Sequence, residues 1–191
     1  MQHTMQAAHV ESSRLPSRLL RLFLADGVSD GTILAEIGNW NGKVLAAPRA
    51  RLADLLKRSE ASRTGIYILS GPDPERPSGT IAYIGEADDV AARLRIHLRS
   101  GDKDFFNRLA IVVSSDDNLT KAHARFLESK LIRLARQADA VSLANGTDPD
   151  FQRLPEADRA DMELFVEQVT LMLPILGVRD QRLWHRIEGV I

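Results

Sequence analysis

The sequence predicts an α+β protein: a small three-stranded sheet flanked by helices, preceded by a β-rich module. Three observations point there. Short β-type runs at Ile66–Leu69, Ile81–Ile84 and Leu109–Val113 are each bounded by turn-forming residues. Two later stretches repeat apolar residues at helical spacing, one through Val90, Leu94, His97 and Leu98, the other through Ala122, Phe126, Leu127, Leu131, Leu134 and Ala135. The composition of the 191 residues, 44% hydrophobic and 27% charged, is that of a globular chain able to bury one ordinary core.

Taken in order, Met1–Ser17 is polar and aperiodic and is expected to be a flexible tail. Residues 18–60 form the β-rich module. Arg18–Leu24 suits a strand or a short helix, Thr32–Ile37 a strand and Lys43–Ala47 a third. Turns at Asp26-Gly27, Ser29-Asp30-Gly31 and Asn39–Gly42 separate them. Pro48 then opens a helix over Arg49–Ser59 with Leu52, Leu55 and Leu56 as its apolar stripe. Residues 61–147 form the main domain. Ser70–Gly79, with its prolines and glycines, is a loop between two strands. The second strand, Ile81–Ile84, is apolar on both faces and reads as central and covered. Asp88 or Asp89 caps the next helix and Gly101 ends it. A turn at Ser114–Asn118 leads to the long helix Leu119–Ala138, and a polar loop opens at Asn145-Gly146. Residues 148–191 are a helical extension built on the amphipathic stretch Glu156–Leu173.

Several function classes drop out. No apolar run approaches the roughly 18–20 residues that span a bilayer, and Met1–Pro16 lacks the apolar core of a secretory leader, so a cytoplasmic protein is expected. With no cysteine there is no disulfide framework or thiolate metal site. Twenty-five basic against 26 acidic residues give a net charge of -1, without the basic excess usual in tight nucleic-acid binders. The charge is segregated, however. Arg93, Arg95, Arg99, Lys103 and Arg108 cluster, Lys121, Arg125, Lys130, Arg133 and Arg136 share one helix, and Glu156–Glu167 is acidic.

The only two tyrosines, Tyr67 and Tyr83, occupy matched places on two adjacent strands. A phenol can relay a proton when a nearby cation lowers its pKa. Arg93 can hold a phosphate through its planar fork, His97 lies one turn further on, and Glu128 can bind one hard divalent cation through oxygen. No second carboxylate is evidently paired with Glu128, which points to one metal. Taken singly, each has an ordinary reading: core tyrosines, a solvated arginine, a packed histidine, and a glutamate ion-paired with Arg125 or Arg133. Asn145 before Gly146 reads as a turn residue. Together they suit phosphodiester hydrolysis.

The ordered set Gly65-Ile66-Tyr67, Tyr83-Ile84-Gly85, Arg93, His97, Glu128 and Asn145 resembles the GIY-YIG nuclease family over roughly residues 63–146. Tyr83–Val90, Asp104–Arg108 and Asn118–His123 are similar to a bacterial branch whose members often carry a further C-terminal domain, expected to be absent from a chain that stops at Ile191. The resemblance implies a metal-dependent DNA endonuclease with Mg²⁺ or Mn²⁺ as cofactor and nucleic acid, not membrane, as partner. Tyr67 would act as general base or orient the attacking water, and Tyr83 would position water or a phosphate oxygen. Arg93 would neutralise the scissile phosphate, His97 would assist proton relay, and Glu128 would be the sole protein ligand of the metal. Asn145, with Gly85 and Arg95, would hold substrate. The Ser70–Gly79 loop is longer than in compact members, and the neutral net charge bears on binding strength more than on chemistry. The alternatives are a nucleic-acid-binding module that keeps the fold without cutting, and a nuclease held off by residues 18–60.

Overall fold

The computed structural model describes residues 17–139, 141–146 and 153–178. The expected tail lies outside them apart from Ser17, as does most of the polar loop after Gly146. Seven strands are formed: β1 (Leu20–Leu24), β2 (Ile33–Ile37), β3 (Gly42–Pro48), β4 (Gly65–Pro72), β5 (Thr80–Ala87), β6 (Arg108–Ser114) and β7 (Ser142–Leu143). The helices are α1 (Leu52–Leu55), α2 (Val90–Ser100), α3 (Lys121–Ala138) and α4 (Glu156–Ile175).

The strands make one seven-stranded sheet in the order β1-β2-β3-β6-β4-β5-β7, antiparallel except where β7 runs parallel to β5. This corrects the expected small three-stranded sheet. The cause is the edge of β6. Were β4, β5 and β6 alone, the fully apolar Leu109–Val113 would present an open ladder on one side, which natural sheets avoid. Instead β3 pairs along all of it, from Gly42 opposite Ser114 to Pro48 opposite Arg108. Residues 18–60 therefore contribute three strands to the sheet that carries the tyrosines.

Period-2 alternation sorts the side chains into two cores. Val44, Ala46, Ile66, Ile68, Ile84, Ala110 and Val112 face α3 and α4. Leu45, Tyr67, Leu69, Leu109, Ile111 and Val113 face α1 and α2. Helices on both faces explain why the runs Ile66–Leu69 in β4, Ile81–Ile84 in β5 and Leu109–Val113 in β6 are apolar on both sides. They also explain why β5 is not central as expected: its apolar content reports covered faces, while its outer edge meets only two-residue β7, at Ile81 and Ala82. The helix expected over Arg49–Ser59 is broken into a 3-10 turn (Arg49–Arg51), the single turn α1, and a second 3-10 turn (Ser59–Ser62). Its leucines and Ala61 stay buried on the sheet through this tighter winding. No helix among the described residues is long and apolar enough to cross a membrane.

Candidate functional site

The site starts from one close approach in the β4–β5 ladder. Tyr67 is paired with Gly85, and both face α2. A Cβ on Gly85 would stand 2.5 Å from Cζ and Oη of Tyr67, so only glycine lets the buried phenol lie across β5. Tyr83, two residues earlier on the same face, places its ring centroid 6.0 Å from that of Tyr67.

Helix α2 supplies the remaining groups. Asp89 caps it, its Oδ1 accepting from the backbone N–H of Ala92 at 2.8 Å, and Gly101 ends it in the left-handed region at φ 67°. Arg93 and His97, four apart, share one face. The Tyr67 hydroxyl lies 2.8 Å from His97 Nε2, and His97 Nδ1 lies 3.1 Å from Asp102 Oδ1. Since a carboxylate only accepts, we assign the imidazole proton to Nδ1, leaving Nε2 to accept from the phenol. Ser100 Oγ donates to the same Asp102 oxygen at 2.6 Å. These bonds, Ser100's first and His97's second, hold the Asp102 carboxyl down to about 2. Burial, then the neighbouring Tyr83, pushes the Tyr67 phenol above its ordinary value, while Arg93 beside it pulls the other way. The same proximity to Tyr67 raises Arg93. Lys103 Nζ sits 4.6 Å above the Tyr83 ring and 3.6 Å from Asp102.

A second cluster approaches β5 from the opposite face. Alternation sends Glu86 toward α3, where Lys121, Arg125 and Glu128 line one helical face. Lys121 Nζ lies 2.7 Å from Glu86 Oε2 and 3.3 Å from Asp88 Oδ2, and Arg125 Nε lies 3.7 Å from Glu86 Oε1. The half-buried Glu128 carboxyl is pushed up to about 7, by burial first and the Glu86 charge second. Lys121, Arg125 and the Glu86 backbone N–H offset part of this. Among the described residues no three His, Asp or Glu side chains converge on one point. Mg²⁺ is commonly held by one or two carboxylates with waters and substrate phosphates completing its shell. An incompletely neutralised Glu128 beside Glu86 fits that donor set.

No family model, curated protein or solved structure matches this chain.

The structure thus gathers Tyr67, Tyr83, Arg93 and His97, and brings Glu128 to the next residues of the same strand from the other side. Gly85 makes room for the Tyr67 phenol. Arg95 turns away, donating to the Leu56 carbonyl at 2.8 Å. Asn145 extends the β7 pairing along β5: its Nδ2 donates to the Ile84 carbonyl at 2.7 Å and its Oδ1 accepts from the Ile84 N–H at 3.1 Å. Sequence reasoning missed Asp102 and Glu86. Glu86 had a signal, because alternation from Tyr83 and Gly85 sends it toward the helix of Glu128. Asp102 had none, since its approach to His97 depends on the chain reversal at Gly101. A cleft of about 980 Å³ lined by Trp40, Leu119, His123 and Phe165 among others includes none of these site residues.

Proposed function

We propose that the protein is a metal-dependent nuclease cleaving phosphodiester bonds, with DNA as substrate. The carrying observation is the chain Asp102–His97–Tyr67, with Arg93 beside the phenol. A buried phenol with a raised pKa is protonated at neutral pH, so Tyr67 alone is a poor base. With His97 Nε2 as acceptor it becomes a relay. Tyr67 Oη takes a proton from the attacking water as its own proton passes to His97 Nε2, and Asp102 stabilises the resulting imidazolium. The water oxygen forms its bond to phosphorus as the bond to the leaving sugar oxygen breaks, and Arg93 offsets charge on the phosphate. Glu128, beside Glu86 on the other face of β5, would hold Mg²⁺ or Mn²⁺, and the metal would supply charge stabilisation to bound phosphate. The GIY-YIG resemblance supports the same roles, and a cytoplasmic location remains part of this proposal.

The test is cleavage of plasmid, branched and single-stranded DNA with Mg²⁺ or Mn²⁺. Wild type should cut, and Glu128→Ala should not. Equal inactivity of both across all substrates overturns the reading. One observation favours a second reading, a binding module that does not cut: Lys121 already places a fixed cation against Glu86. Calorimetric titration with Mn²⁺ separates the two. Heat that is lost in Glu128→Gln supports the nuclease, and no heat in wild type supports the module.

A further inference from the structure

We propose that Lys121 competes with the divalent metal for the Glu86 carboxylate, so that its ammonium sets the metal concentration at which the site fills. The inference deepens the proposed function and rests on the reading of Glu128 as a metal ligand.

Lys121 stands where a helix least favours a cation. It is the first residue of α3, directly after the Thr120 cap, and the first turn holds no acidic residue. The aligned peptide dipoles place partial positive charge at that end, which repels an ammonium. What compensates lies outside the helix. Lys121 Nζ is 2.7 Å from Glu86 Oε2 and 3.3 Å from Asp88 Oδ2, tying α3 to the end of β5 and to the segment that leads into α2. The Glu86 side chain is 14% exposed and that of Asp88 69%. The Glu86 charge therefore needs a cation at close range, whereas water can serve Asp88.

Glu86 has cations on one side and a carboxyl on the other. Arg125 Nε lies 3.7 Å from Glu86 Oε1. Glu128 lies two turns along α3 from Lys121 on the same face, close enough to Glu86 for the two carboxylates to repel. Among the described residues Glu128 makes no ion pair of its own. A hard divalent cation at Glu128 would thus meet Glu86 as a neighbouring carboxylate and Lys121 as an opposing charge. Lysine suits a group that yields: it carries a point charge on a flexible four-carbon stem, with no planar fork fixing its direction. Asp88 gives the ammonium a partner to keep once it leaves Glu86. A merely structural ion pair would affect stability alone, whereas a competitor has a different signature: removing it tightens metal binding.

The experiment is calorimetric titration of the full chain with Mn²⁺ in the absence of DNA. Lys121→Met keeps the apolar stem and removes the charge, and should tighten Mn²⁺ binding by at least about fivefold. Should that variant melt early, Lys121→Gln, which can still hydrogen-bond to Glu86, carries the same expectation. Lys121→Arg keeps the charge and should bind no more tightly than wild type. Lys130→Met removes an equal charge from the part of α3 that pairs with Glu163, and should bind as wild type does. Wild-type affinity in the uncharged Lys121 variants overturns the proposal and leaves the metal reading of Glu128 standing. Equal tightening in Lys121→Met and Lys130→Met also overturns it, since net charge then accounts for the gain. Absence of heat from wild type and Lys121→Met alike overturns the metal reading, and this inference with it.

Discussion

At the scale of the residue, the decisive arrangement is a phenol made useful by its neighbours. Tyr67→Phe removes the relay proton and should lower DNA cleavage by about 10²–10⁴-fold. It also leaves the buried His97 Nε2 without its donor, so a loss of about 1–3 kcal/mol is expected in urea denaturation. Glu128 gives a pH signature in the metal-free protein. Its folded pKa of about 7 lies above the ordinary glutamate value of 4.5, so between these values the native state holds more protons than the unfolded state. Its contribution to stability is therefore present at low pH and lost as pH rises from about 4.5 toward 7. Urea midpoints across that window should fall less steeply in Glu128→Gln than in wild type. Asp102, held at about 2, acts in the opposite sense, losing its contribution as pH falls below the ordinary carboxylate range, and so leaves this window clear. The pairing of residues four apart, Arg93 with His97, was legible because helical geometry is local. The meeting of Glu86 with Glu128 across a strand–helix contact was only half legible: alternation gives a direction, not the partner that waits there.

At the scale of the element, α2 delivers both Arg93 and His97, so its first turn matters beyond its length. Asp89→Ala removes the cap on Ala92 and should cost about 1 kcal/mol, read as a lower melting temperature. A loss of cleavage larger than the loss of stability would show that the cap also sets the position of Arg93. Both ends of this helix were readable, because Asp89 and Gly101 are chemical punctuation. The start of α3 was readable from its apolar period, and its cap proves to be Thr120, whose hydroxyl accepts from the His123 N–H at 3.3 Å. Strand β7 was not readable. Two residues carry no period, and its pairing is completed by the side chain of Asn145. Nor was the breaking of the Arg49–Ser59 helix, since Leu52, Leu55 and Leu56 bury equally well in an α or a 3-10 winding.

At the scale of the molecule, the sheet ties residues 18–60 into the same two cores as the tyrosines. Deletion of residues 1–60 would strip β3 from β6 and open both cores. The truncated chain should lose cooperative unfolding and amide protection in β4 and β6, rather than gain activity as an autoinhibited nuclease would. Circular dichroism melts and hydrogen exchange decide between these outcomes. This long-range pairing left no mark in the sequence. Strands β2 to β6 announce themselves through β-type runs bounded by turns, but the choice of β3 for the open side of β6 is made by complementarity between segments far apart in the chain.

The central place of β6 also bears on how the chain acquires its shape. Its partners β3 and β4 are both synthesised well before it, yet each depends on β6 for one of its two ladders. Neighbours so distant in the chain make closure slow, because loop entropy must be overcome before the contacts reward it. An emerging chain would hold β1–β3 and β4–β5 as two incomplete hairpin units until Ser114 clears the ribosome. Chains stalled with residue 107 at the tunnel mouth should therefore be cut readily by protease, and chains stalled with residue 139 clear of the tunnel should resist it.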